Sequence, residues 1–108
     1  MTNPDVLRRA LLTILSELVD GAPPKACFVL NPTDPGLLRS LDRLSAQDAS
    51  TRPAQGGAPI AAHVDHLCYG MELLQRWAEG DEHAFENADY TRSWHLTEVT
   101  DAEWSALR

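Results

Sequence analysis

Two histidines three residues apart, His63 and His66, are the residues of this chain best placed to do chemistry together. They stand in the stretch Pro59-Ile60-Ala61-Ala62-His63-Val64-Asp65-His66-Leu67. Imidazole is the commonest metal ligand and the usual proton carrier near neutral pH. On a helix, positions i and i+3 share one side of the cylinder, so the two rings can address a common point. A stable divalent site needs three or more ligands. This stretch supplies two, since Asp65 points to another side. His-x-x-His is also a common pattern on helices that hold no metal, where it is two polar residues on a boundary face.

Other chemistry is less well supplied. Cys68 lies two residues beyond His66, so the two side chains diverge on a helix. Cys27 and Cys68 form no C-x-x-C pair, and they read as two partly buried thiols in a reducing compartment. Asp65 and Glu72 are seven apart and share a face, but solvated helix surface accounts for them. Trp77, Trp94 and Trp104 are candidate pocket walls and, equally, large core pieces of a small bundle.

The elements that would position these residues are helical. Asn3 is a good N-cap, Pro4 suits the first helical position, and Leu7, Leu11, Ile14, Leu15 and Leu18 recur at helical spacing up to Asp20-Gly21. Cys27-Phe28-Val29-Leu30 is a short apolar run without a strand to pair with, so it reads as an extended, half-buried connector. Asp34 and Pro35 open a second helix over residues 35–50, with Leu37, Leu38, Leu41 and Leu44 as its apolar face. Residues 51–57 form a loop. The third helix covers residues 59–78, with Ile60, Val64, Leu67, Met71 and Leu74 as its core stripe. This places His63 near the edge of the stripe and His66 further round. Phe85, Tyr90 and Trp94 are expected to anchor an irregular segment after Gly80. Thr100-Asp101-Ala102-Glu103 is a capping box that starts a last helix.

Composition bounds the function classes. The chain has 108 residues and a formal charge of −7, with one lysine and no basic block, which argues against nucleic acid as a partner. No stretch of about 20 apolar residues is present to span a membrane, and nothing at the N-terminus resembles a signal peptide. The expectation is a soluble cytoplasmic protein with no membrane partner.

Several segments together carry a family likeness. They are Leu30-Asn31-Pro32-Thr33-Asp34-Pro35-Gly36-Leu37-Leu38-Arg39-Ser40-Leu41, the His63–His66 stretch from Ile60 to Leu67, Ala88-Asp89-Tyr90 with Ser93-Trp94, and Val99-Thr100-Asp101-Ala102-Glu103-Trp104. As a set they resemble the N-terminal part of DinB-like proteins, a superfamily of four-helix bundles. The resemblance implies an all-α fold, a partial four-helix up-down bundle with three main helices plus the start of a fourth. Residues 1–108 would form one domain that lacks the C-terminal part of the bundle. It nominates His66, seven residues after the helix-starting position held here by Pro59, as a metal ligand, with His63 as its neighbour. The family's two later metal histidines have no counterpart, since His83 and His95 do not match that motif. A divalent metal, zinc or nickel, would therefore meet an incomplete site.

Members of the superfamily with known chemistry are metal-dependent transferases or isomerases that use a low-molecular-weight thiol. The resulting expectation is a helical-bundle domain, non-catalytic as an isolated chain, that associates as a homodimer or with a partner chain. The alternative is a metal-dependent thiol transferase or isomerase completed by a partner chain or oligomer.

Overall fold

The computed structural model describes residues 3–108. Among them are five α-helices, one 3-10 turn and no strand. Among the described residues, no helix is long and apolar enough to cross a membrane. The contacts divide the chain into two compact units, Met1–Arg43 and Leu44–Arg108.

In the first unit, α1 (Pro4–Asp20) begins as its caps require. Asn3 Oδ1 accepts the Asp5 N–H at 2.8 Å, Pro4 opens the first turn, and Gly21 ends the helix by donating to the Glu17 carbonyl at 3.0 Å. The buried residue of α1 is a polar one, Glu17, at 4% exposure, whereas Leu7, Leu11 and Leu15 are about half exposed. The connector 27–30 explains this. The Phe28 N–H donates to Glu17 Oε2 at 2.9 Å, and the Val29 and Leu30 N–H groups donate to Oε1 at 2.9 and 2.7 Å. A carboxylate thus takes the place of the missing partner strand. Charge-assisted bonds of this kind offset the cost of burying the charge.

The loop then returns to α2 (Gly36–Asp42), whose first amide donates to Asp34 Oδ1 at 2.9 Å. Gly21 and Gly36 meet where the loop enters and leaves. A Cβ on Gly36 would lie 2.4 Å from the Gly21 nitrogen, and both residues have positive φ, +110° and +78° respectively. Only glycine satisfies both the space and the dihedral.

The single helix expected over 35–50 is instead two. It breaks after Asp42 and restarts as α3 (Ala46–Ser50), because Ser45 and Asp48 form a capping box. Ser45 Oγ accepts the Asp48 N–H at 3.0 Å, and Asp48 Oδ2 accepts the Ser45 N–H at 3.1 Å. The two satisfied backbone donors, of Ser45 and Asp48, outweigh continuing the leucine repeat.

The second unit is built around α4 (Ile60–Ala78), with α3, the 3-10 turn Arg92–His95 and α5 (Asp101–Leu107) against it. The capping box at Thr100 forms with Glu103. Trp104, 3% exposed, donates its indole N–H to the Leu44 carbonyl at 2.9 Å, and the Val99 N–H donates to Ser50 Oγ at 2.8 Å. These links close the unit across 60 and 49 residues of sequence.

The covered side of α4 is not the side its large residues suggest. Ala61, Ala62, Val64 and Leu73 are buried, while Ile60, Leu67, Met71 and Leu74 stand about half exposed along one flank. Small side chains let the neighbouring segments approach α4, and the large stripe is left outside. Phe85 and Tyr90 are likewise exposed and do not anchor their segment, where the buried residues are Ala84 and Ser93.

Two outcomes follow from the first unit. Gly36→Ala is expected to lower stability by about 3 kcal/mol, read by thermal unfolding; an unchanged midpoint would contradict the close approach. The hydrogen bonds from Leu30, Phe28 and Val29 hold the Glu17 carboxyl below its ordinary value. Its contribution is therefore complete above the unfolded carboxylate range, near pH 4.3, and is lost as pH falls through the lower native value. Exchange protection of the Phe28, Val29 and Leu30 amides should drop over that window and be low at every pH in Glu17→Gln. Protection that is independent of pH and of this substitution would remove the clamp.

Candidate functional site

α4 supplies both histidines, and the segment after it supplies what they touch. Three contacts fix that segment on the covered side of α4. Ser93, 1% exposed, donates its hydroxyl to Asp65 Oδ2. The Asp89 N–H donates to Tyr69 Oη at 3.0 Å, and the Arg92 guanidinium lies 4.0 Å over the Tyr69 ring. Asp65 and Tyr69 are one helical turn apart, so a single face of α4 pins the 3-10 turn.

With Ser93 held, Trp94 lies against both imidazoles. The His66 ring stacks on the indole at 4.8 Å with an interplanar angle of 27°. The His63 ring meets it edge-on at 5.2 Å and 67°. His66 is half-buried and His63 exposed. His66 Nδ1 is buried without a hydrogen-bond partner.

The spacing of the histidines does bring them to one feature, and that feature is an aromatic ring. As metal ligands they make a partial set. Among the described residues, no group of three or more His, Cys, Asp and Glu gathers where it could hold a metal ion. A ligating histidine ordinarily donates its second ring nitrogen to a carboxylate or carbonyl, and His66 Nδ1 has no such acceptor. His83 is elsewhere, its Nδ1 at Glu86 on an exposed turn.

The remaining reactive groups have other roles. Burial pushes the Cys68 thiol up, and the charges of Asp65 and Glu72 push it the same way, so at neutral pH it stays protonated and a poor nucleophile. Asp65 is engaged by Ser93, while Glu72 is exposed. The three tryptophans separate in role: Trp104 is core, Trp77 is exposed on α4, and Trp94 is a wall.

That wall borders a cleft of about 520 Å³ lined by Arg52, Gly57, Ala58, Pro59, His63 and Trp94. Arg52 carries no sequence signal for this placement, because nothing in the loop 51–57 forecasts that it returns to the start of α4. Ser93 is visible in sequence only as the neighbour of Trp94.

No family model, no curated protein and no solved structure matches this chain. What the site does is read from its geometry.

Zinc or nickel titrated calorimetrically into the chain at neutral pH is expected to bind weakly, with dissociation constants above about 10 μM. Tight one-to-one binding lost in His66→Ala would show that the two imidazoles recruit further ligands.

Proposed function

We propose that this chain is a DinB-like helical domain that acts by association, without catalysis of its own, pairing with a second copy through α4. The observation that carries the reading is the uncovered stripe Ile60, Leu67, Met71, Leu74, with Trp77 on its flank, each about half exposed. These residues follow one another at steps of seven, four, three and three along a 19-residue helix, which keeps them on one side of it as in a helix–helix seam. Their exposed area comes to roughly 500 Å² per copy, so two α4 helices crossing a twofold axis would bury about 1,000 Å², the lower bound of a specific interface. Twofold pairing is the commonest closed assembly and satisfies both copies at once.

A second reading is favoured by one observation: the exposed His63 flanks that same stripe. Pairing through α4 would set the His63 residues of two copies along one seam. This reading is a metal-dependent thiol transferase or isomerase completed by the partner chain.

Light scattering after size exclusion at about 50 μM is expected to give twice the chain mass, and Leu67→Glu with Met71→Glu to weaken the dimer at least roughly 100-fold. Both residues are exposed, so helical content should hold. A monomeric wild-type mass at that concentration would overturn the association reading. Zinc that tightens the dimer in the wild type but not in His63→Ala would favour the second.

A further inference from the structure

The cleft beside Trp94 carries an assignment independent of how copies associate. We propose that it binds a small organic anion with a planar apolar body, of the aromatic carboxylate class, with Arg52 pairing the carboxylate and Trp94 receiving the ring. Three observations converge on it. Arg52 lines the cleft and makes no hydrogen bond or ion pair among the described residues. A guanidinium is always charged and presents a fork that matches a carboxylate in two places.

Trp94 is 42% exposed and lines the cleft, so part of its indole is open to a ligand there. It is also held in place. Ser93 is bonded to Asp65, and His66 stacks on the indole, so little freedom remains to be lost when a ring arrives. His63 meets the edge of the indole and lines the same cleft, where its exposed imidazole can hydrogen-bond a second polar group of the ligand.

The size agrees with the chemistry. About 520 Å³ lies within the range of small-molecule sites and holds a single substituted ring. A bare inorganic anion would use Arg52 and leave the indole wet. A neutral arene would use the indole and leave the guanidinium unpaired. The two walls together select a molecule that has both parts.

Benzoate is the probe, with acetate and benzyl alcohol as its two halves. The full chain is titrated with each and followed by the Trp94 indole N–H signal in nuclear magnetic resonance spectra. Benzoate is expected to saturate one site below about 1 mM, and each half to bind at least roughly tenfold more weakly. Arg52→Gln should weaken benzoate at least about tenfold while leaving benzyl alcohol unchanged. Circular dichroism should not change, because Arg52 is exposed and has no partner among the described residues. The assignment is overturned if benzoate does not saturate by about 10 mM, if Arg52→Gln binds it equally, or if the shifts fall away from Trp94 and His63.

Discussion

Glu17 accepting the amide protons of Phe28, Val29 and Leu30 is the constraint on which the first unit depends. A short apolar run with no neighbouring strand leaves its N–H groups without acceptors, and such groups must be paired if they are to leave water. One carboxylate meets three of them because its two oxygens accept from several directions. The loop is thereby drawn onto α1, and its ends are brought so close that Gly21 and Gly36 leave no room for a side chain. Of the apolar residues of α1, Ile14, Leu18 and Val19 are half-buried. Leu7, Leu11 and Leu15 stay outside while the charged residue lies within.

A similar inversion governs α4. Ala61, Ala62, Val64 and Leu73 are covered, while Ile60, Leu67, Met71 and Leu74 are not. A helix face built of Ala61 and Ala62 admits close approach, and the polar links from Asp65 and Tyr69 then hold the incoming chain. The candidate site is a by-product of that attachment. Trp94 is where it is because Ser93 is buried, and the histidines acquire a common neighbour because Trp94 is where it is. Spacing nominates the two histidines as a pair, and geometry adds Trp94 as the neighbour they share.

Local chemistry was legible in the sequence and tertiary choice was not. Asn3, Gly21 and the Thr100–Glu103 pair act within a few residues of themselves, and each cap forms where it is written. The break between α2 and α3 was written just as clearly in Ser45 and Asp48, but a leucine repeat crossing it argues for continuity, and periodicity cannot register a competing cap. Which side of α4 would be covered could not be read, because alanine contributes little to an apolar stripe and its value lies in what it permits. That His63 and His66 share a side was legible from their separation. That Trp94 and Arg52 join them depends on contacts spanning tens of residues, and no short pattern encodes those.

The closures of the two units differ in reach, which has a kinetic meaning. Glu17 finds its amides within 11 to 13 residues, a loop that closes in well under a microsecond once the helix turn is present. Trp104 finds Leu44 only across 60 residues. During synthesis the first unit can assemble while the rest of the chain is still being made. The second must wait for an indole 60 residues beyond Leu44, with its alanine-lined core open to water in the meantime. Non-local contacts of this kind slow folding, so the second unit closes later than the first.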